Sequence, residues 1–179
     1  QIALDGASLL SPAERASLTA SFTNRCVGLP QINELLQDIT NFYVGRGYVT
    51  SRAYVPPQDM GTGTLRILVI EGVLEKIEAA PTSAGHMNLT TAFPGLEGKA
   101  VNLRDIEQGI DQINRLQSNN AAIDIASGDK PGGSRLIVTN AARKRWFGNL
   151  AVDNTGQDST GKYQGALSLG YDDPLRLND

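Results

Sequence analysis

Apolar residues recur along this chain with two different periods, and the changes of period divide it into segments. Ile32, Leu35, Leu36, Ile39, Phe42 and Tyr43 stand mostly three and four residues apart, which lays one apolar stripe along a helix. Gly45 and Gly47 supply its stop, because glycine takes the left-handed turn that ends a helix. Upstream, Ser11-Pro12-Ala13-Glu14 puts a capping hydroxyl before a proline at the first helical position, with a carboxylate able to reach back to the cap. A short helix is predicted there, behind an apolar start at Ile2 to Leu4. Tyr48 to Val55 and Thr64 to Glu71 are rich in β-branched and aromatic residues, and the turn-forming stretch from Pro56-Pro57 through Gly63 joins them as an antiparallel pair. The order strand, helix, helix, strand, strand, with short connections, lets both helices cover one sheet face and makes an α+β unit.

The same order returns more weakly. Val73 to Ala79 reads as a strand, Asn88 to Phe93 as a short helical region, and a longer helix begins near Leu103. Leu103, Ile106, Ile110, Ile113 and Leu116 line one face of that helix, with Asn102 placed to cap it and Asp105 in its first turn. Ala122 to Ala126 and Arg135 to Thr139 close the unit as two strands around a turn from Gly128 through Gly133. Glu71-Gly72 is the only spacer between the copies, so no flexible Gly/Ser linker separates them and restricted motion is expected. The predicted organisation is two tandem β-α-α-β-β units, residues 1–71 and 72–142.

From Arg143 the period becomes two and stays there, giving two long alternating runs joined by a polar loop from Asn154 through Gly161. Tyr163, Gly165, Leu167, Leu169 and Tyr171 share one face of the second run, and Gln164, Ala166, Ser168 and Gly170 the other. In the first run Trp146, Gly148, Leu150 and Val152 alternate with Phe147, Asn149, Ala151 and Asp153, where Phe147 departs from the polar pattern. The strand between the two tyrosines spans about 27 Å, which a tilt near 40° reduces to roughly 20 Å, close to the apolar band of a membrane barrel. By alternation alone, residues 143–179 are either one hairpin of such a barrel or an amphipathic hairpin on a soluble core.

Composition narrows the function. With 179 residues, 40% hydrophobic and 20% charged, the chain folds, and no apolar run approaches the roughly 20 residues of a membrane helix. A net charge of −3 with both signs interspersed offers no footprint for a phosphate backbone, so nucleic acid is not an expected partner. Cys26 is the only cysteine and His86 the only histidine, too few for a zinc site; a histidine-assisted nucleophile would have to use His86, in a loop-like Ala84-Gly85-His86. Gly61-Thr62-Gly63 and Gly132-Gly133 lack the helix and lysine of a phosphate cradle. Asp172-Asp173 before Pro174 reads as a turn. No catalytic residue, cofactor, metal or small-molecule substrate is expected.

Longer stretches carry a resemblance. Gly47-Tyr48-Val49-Thr50-Ser51-Arg52-Ala53-Tyr54-Val55-Pro56-Pro57-Gln58-Asp59, with Gly63-Thr64-Leu65 and Val69-Ile70-Glu71-Gly72, closely resembles the first POTRA domain of two-partner secretion outer-membrane transporters. Phe93-Pro94-Gly95-Leu96-Glu97-Gly98, Asn102-Leu103-Arg104-Asp105-Ile106-Glu107-Gln108-Gly109 and Asn114-Arg115-Leu116 are similar to the second. Asp153-Asn154-Thr155-Gly156, Thr160-Gly161-Lys162-Tyr163 and Asp172-Asp173-Pro174-Leu175 resemble the opening hairpin of that family's barrel. The plug helix, the remaining barrel and the lumen loop with its Val-Arg-Gly signature have no counterpart, which implies a fragment. A barrel hairpin without neighbours leaves unpaired edges, so a disordered or abnormally packed tail after about Arg143 is expected.

The resemblance implies a periplasmic receptor at the outer membrane that binds an unfolded secreted partner (an adhesin, cytolysin or toxin) through its N-terminal secretion domain. Strand addition to a sheet edge suits such a partner, because main-chain bonds tolerate many sequences. In POTRA folds the strand after the second helix lies at an edge, which directs attention to the groove between Tyr48 to Val55 and the Ile32 to Tyr43 helix. Tyr43, Val49, Arg52, Tyr54 and Val55 are the candidate contacts, and Tyr54→Pro is expected to remove a donor from that edge. The alternative for each is packing, with tyrosines covering the core and an edge arginine deterring aggregation. Two other functions compete: a POTRA scaffold for outer-membrane protein assembly, and a periplasmic enzyme or small-ligand receptor, which would need polar groups converging in a pocket.

Overall fold

A computed structural model describes residues 1–156 and 161–179. Its elements run β1 (Ile2–Asp5), α1 (Pro12–Ala20), α2 (Leu29–Gly45), β2 (Arg52–Tyr54), β3 (Leu65–Ile70), β4 (Val73–Ala79), α3 (Leu89–Ala92), α4 (Leu103–Asn114), β5 (Ala121–Ser127), β6 (Gly133–Asn140), β7 (Trp146–Asp153) and β8 (Gln164–Tyr171). The strands form three sheets, ordered β1-β3-β2, β4-β6-β5 and β7-β8. The architecture is α+β with two β-α-α-β-β orders and a terminal hairpin. The residues gather into two compact units, one of Gln1–Glu78, Gly95–Glu107 and Asp124–Ile137, the other of Ala79–Pro94, Gln108–Ile123 and Val138–Asp179.

In the first unit α1 starts with a complete capping box: the Ser11 hydroxyl accepts the Glu14 N–H at 3.3 Å, and Glu14 Oε2 accepts the Ser11 N–H at 2.8 Å. Helix α2 begins earlier than its stripe, at Gly28-Leu29-Pro30, where Gln31 Oε1 accepts the Gly28 N–H at 3.0 Å. Its buried residues are Ile32, Leu35, Ile39 and Tyr43, spaced by three and four as the stripe requires. They pack with Leu65, Ile67 and Val69 of β3, whose partners Arg66 and Leu68 point outward. Sealing Leu35 and Ile39 completely from water contributes about 1.5–3 kcal/mol each.

The predicted strand Tyr48 to Val55 shrinks to Arg52–Tyr54, and the cause is the end of α2. Gly47 takes φ 91°, its N–H bonds Val44 O at 2.9 Å, and the Tyr48 N–H reaches back to Tyr43 O at 3.0 Å, which is a full Schellman stop. The Tyr43 and Tyr48 rings then meet edge-on at 6.2 Å. Tyr48 to Thr50 are consumed in that turn, and extended backbone resumes only at Arg52.

Strand β4 has the predicted limits, while β5 and β6 each run one or two residues longer than predicted at either end. Strand β6 buries every second residue, Ser134, Leu136, Val138 and Asn140. In the second unit Phe93 is buried and its ring lies over Gly109 of α4, where an added Cβ would stand 2.0 Å from the ring edge. Asn140 is also fully buried and satisfied: its Oδ1 accepts the Asn120 N–H at 2.8 Å, and its Nδ2 donates to Ala84 O at 3.1 Å and Asn119 Oδ1 at 3.0 Å.

The tail differs from the expectation of disorder or abnormal packing after Arg143. Strands β7 and β8 pair antiparallel over eight positions, from Trp146↔Tyr171 to Asp153↔Gln164. Backbone pairing within the hairpin supplies the order that side-chain burial does not, since β7 is exposed along its whole length. The polar loop predicted from Asn154 through Gly161, and Thr160 of the resembling motif, fall in part on residues 157–160, which lie outside the described residues.

Candidate functional site

The strand order β1-β3-β2 leaves β2 at a sheet edge, with α2 packed beside it. Strand β2 pairs with β3 as Arg52↔Ile70, Ala53↔Val69 and Tyr54↔Leu68. The Ala53 N–H does not join that ladder; it donates to Thr40 Oγ1 of α2 at 3.4 Å. Ala53↔Val69 is therefore a non-hydrogen-bonded pair, and alternation turns the backbone groups of Arg52 and Tyr54 toward β3. The Ala53 amide therefore faces away from β3, toward α2, and the same alternation continued one step past the strand would turn that of Val55 to this side. This corrects the expectation for Tyr54→Pro, which would break the ladder with β3 and leave the edge donors in place.

The five candidate contacts separate accordingly. Tyr54 is 50% exposed and Val55 37%, side by side on the edge. Arg52 is exposed but its Nη1 is turned back onto the carbonyls of Val49 at 2.9 Å and Ser51 at 2.8 Å, so it braces the preceding turn. Val49 is half-buried in that turn. Tyr43 belongs to the core: 1% of it is exposed, and its hydroxyl donates to Glu71 Oε1 at 2.6 Å. Burial, reinforced by the hydrogen bond to Glu71, pushes the Tyr43 hydroxyl well above its ordinary pKa. A side chain so placed holds the helix to the unit and offers almost no exposed surface.

Two residues that the candidate set lacked shape this edge. Glu71 also accepts the Leu9 N–H at 2.8 Å and the Ser8 hydroxyl, so one carboxylate ties α2 to the chain after β1. Gln58 continues the ladder where proline cannot. After Tyr54↔Leu68 the next hydrogen-bonded pair would be Pro56 with Arg66, and Pro56 has no N–H. The Gln58 carboxamide takes its place, Oε1 accepting the Arg66 N–H at 2.8 Å and Nε2 donating to Arg66 O at 2.8 Å. The sequence signal, a glutamine just beyond a Pro-Pro pair at a strand end, is legible only once the register is known.

The β7–β8 hairpin is the second candidate surface. Its register places Trp146, Gly148, Leu150 and Val152 on one face with Tyr171, Leu169, Leu167 and Gly165, and the large side chains among them are exposed. The other face carries Asn149, Ala151 and Asp153 with Ser168, Ala166 and Gln164. Phe147, the exception in the pattern, sits opposite Gly170, where an added Cβ would lie 2.1 Å from the ring. Phe147 thus covers a glycine. At the Trp146–Tyr171 end, Lys144 lies 5.5 Å above the Trp146 ring and Arg145 5.1 Å above that of Tyr171. An apolar band ended by aromatics and cations has the make-up of a lipid-facing hairpin at a membrane interface. Among the described residues no helix is long and apolar enough to cross a membrane, and no three His, Cys, Asp or Glu side chains gather as a metal site.

Known proteins share this arrangement. Residues 1–72 match the family model of the ShlB-type POTRA domain, residues 73–127 that of a POTRA domain, and residues 132–179 that of the haemolysin secretion/activation protein ShlB/FhaC/HecB. The outer membrane transporter CdiB of Dickeya dadantii (strain 3937) is 42% identical over 179 residues, covering 100% of this chain and 32% of that protein. The hemolysin transporter protein ShlB of Serratia marcescens is 38% identical over 176 residues, covering 98% of this chain and 31% of that protein. The solved structure of CdiB from Escherichia coli superposes with a TM-score of 0.89 at 39% identity, covering 98% of this chain and 33% of that one. The chain spans about a third of the length of the relatives it matches.

Proposed function

Because the chain belongs to the two-partner secretion family of outer-membrane transporters, we propose that it is the periplasmic receptor part of such a transporter together with the first hairpin of its barrel. Residues 1–71 and 72–142 are the two POTRA domains and residues 143–179 the hairpin. Three sheets that close within those limits support the division. The chain faces the periplasm at the Gram-negative outer membrane. It receives a secreted protein through that protein's N-terminal secretion domain and passes it toward the barrel. Its work is transport and not catalysis, in keeping with relatives named for transport and a matching family named for secretion.

The observation that carries the receptor role is the edge of β2 beside α2, with Tyr54 and Val55 exposed and the Ala53 amide, on the side away from β3, held only by Thr40 Oγ1 at 3.4 Å. An extended segment adds there as a further strand, its main chain meeting the Val55 amide and, by displacing Thr40, that of Ala53, and its side chains meeting Tyr54 and Val55. Arg52 and Val49 set the turn that presents the edge, and Tyr43 fixes the helix behind it.

Calorimetric titration with the cargo's N-terminal secretion domain, once folded and once unfolded in mild urea, tests this. The unfolded form alone is expected to bind. Val55→Pro, which removes an outward donor without touching the β2–β3 ladder, is expected to weaken it about tenfold, the equivalent of one to two hydrogen bonds. Equal binding of the folded form, or an unchanged affinity in Val55→Pro, sinks the edge as receptor.

A further inference from the structure

The chain after β8 folds back onto its own compact unit and is tied there by a dense set of polar contacts. The Asp172 N–H donates to Arg145 O at 2.7 Å, and Asp172 Oδ2 accepts the Ser118 N–H at 2.8 Å. Asp173 is 2% exposed; its carboxylate receives Arg145 Nη2 at 3.2 Å and the Asn178 N–H at 2.9 Å, with His86 Nδ1 at 3.7 Å. Asn178, 5% exposed, reaches across to Asn88: its Oδ1 accepts the Asn88 N–H at 3.0 Å, and its Nδ2 donates to Asn88 O at 2.8 Å and Thr91 Oγ1 at 3.0 Å. Asn88 is the residue that caps α3, and its own Nδ2 donates to Arg176 O at 3.3 Å.

This segment is also where backbone strain collects. Among the described residues, the non-glycine positions with positive φ are Asn24, Asp173 (57°), Arg176 (59°) and Asn178 (61°), so three of these four fall within six positions. The left-handed conformation crowds the Cβ of any L-residue, least for Asp and Asn, whose side chains bond locally, and most for Arg176. Such a backbone persists only where its surroundings over-determine it. Here they do: a buried carboxylate that needs its arginine and its amide, and an asparagine read on both edges.

We propose that residues 172–179 are a strained latch that pins the β7–β8 hairpin to the α3 segment, with Asn178 as its bolt and the Asp173–Arg145 pair as its seat. Closed, the latch fixes the hairpin to this unit; open, it relieves three left-handed residues and frees the hairpin and the α3 segment to move apart. The importance of that motion for transport rests on the function proposed above, but the latch itself is a property of this chain alone.

Hydrogen exchange on the whole chain in detergent micelles, without cargo, reads the latch directly. In Asn178→Ala the amides of Asn88 and Ser118 are expected to exchange about tenfold faster, while Ile67 in the first unit and the β7–β8 ladder keep their protection. In Arg176→Gly, which relieves strain in the closed form, the same two amides are expected to slow by about threefold, a gain reduced by glycine's greater freedom when open. Unchanged exchange at Asn88 and Ser118 in Asn178→Ala overturns the latch, as does an acceleration spread equally over Ile67 and the hairpin. Faster or unaltered exchange in Arg176→Gly overturns the stored strain. Since no cargo is present, a failed titration with the secretion domain leaves this result standing, and the reverse holds too.

Discussion

Replacing Gly109 with alanine adds one methyl group to the middle of α4, and two opposed effects decide the outcome. Alanine favours an interior helical position over glycine by about 1 kcal/mol. The new methyl, however, would stand 2.0 Å and 2.2 Å from Cε1 and Cδ1 of Phe93, where an ordinary contact needs well over 3 Å. The ring must retreat by more than an ångström, and Phe93 is 3% exposed, so nothing around it is free to yield. Overpacking of this kind costs about 1–3 kcal/mol if the ring shifts within the core, and about 3–5 kcal/mol if the ring is expelled. Net of the helical gain, a destabilisation of about 0–2 kcal/mol is expected if the ring shifts and about 2–4 kcal/mol if it is expelled. Gly45→Ala is the matched control, since no atom lies within 4 Å of a Cβ there, and it should be neutral or stabilising. Urea titration followed by circular dichroism measures both. Combining Gly109→Ala with Phe93→Leu should recover part of the loss, a coupling that independent sites would not show. Gly109→Ala proving as stable as Gly45→Ala would refute the packing argument.

Three further outcomes follow from single contacts. Glu75 accepts the N–H groups of Asp129 at 2.7 Å and Lys130 at 2.9 Å, and these bonds hold its carboxyl below the ordinary carboxylate range. Because the folded value lies below the unfolded one, the stabilisation is complete above the unfolded pKa and is lost as pH falls through the folded one; an NMR titration should show the Asp129 and Lys130 amide shifts following a low Glu75 transition, and a transition at or above 4.5 contradicts it. Gln58→Ala strips Arg66 of its ladder partner and should speed exchange at the Arg66 N–H about tenfold while Leu4 and Ile67 stay protected; uniform protection would show that water replaces the carboxamide without cost. Thr40→Val keeps the shape of the side chain but removes the acceptor of the Ala53 N–H, so an unfolded secretion domain should bind up to about fivefold more tightly by calorimetry, and weaker binding would place the strand elsewhere.

How far the fold was legible depends on the range of the interaction. The capping box of α1, the stripe of α2 and the limits of β4 were readable because each rests on residues within a turn or two, or on a strict period. Tyr48 to Val55 was read as too long a strand because its β-forming residues also serve the Schellman stop, and a propensity does not say which use prevails. The hairpin faces were legible to the residue, since the register preserves the alternation. The pairs Phe147 with Gly170 and Phe93 with Gly109 were not, because a glycine that accommodates a ring looks like any other glycine until the ring is placed. Among the candidate contacts, Tyr54 and Val55 lie exposed beside the edge that the strand order suggested, whereas Tyr43 is buried because it continues the apolar stripe of α2. Glu71 and Gln58 escaped notice as shaping residues because their partners are distant in sequence or belong to the backbone.

The proposed edge also has to avoid pairing with other copies of the chain. A bare strand edge is a template for aggregation. Here it offers few outward donors: the Ala53 N–H is lent to Thr40, the Val55 N–H follows, and Pro56 and Pro57 have none. Gln58 then fills the next rung of β3 from within the chain. Two or three main-chain bonds to an incoming segment contribute about 0.5–1.5 kcal/mol each, well short of the roughly 8 kcal/mol that a micromolar complex requires. The balance has to come from apolar contact, and Tyr54 and Val55 stand exposed beside those donors to provide it. Backbone pairing at this edge is therefore too weak to hold an extended segment by itself, and the proposed binding depends on apolar contact as well.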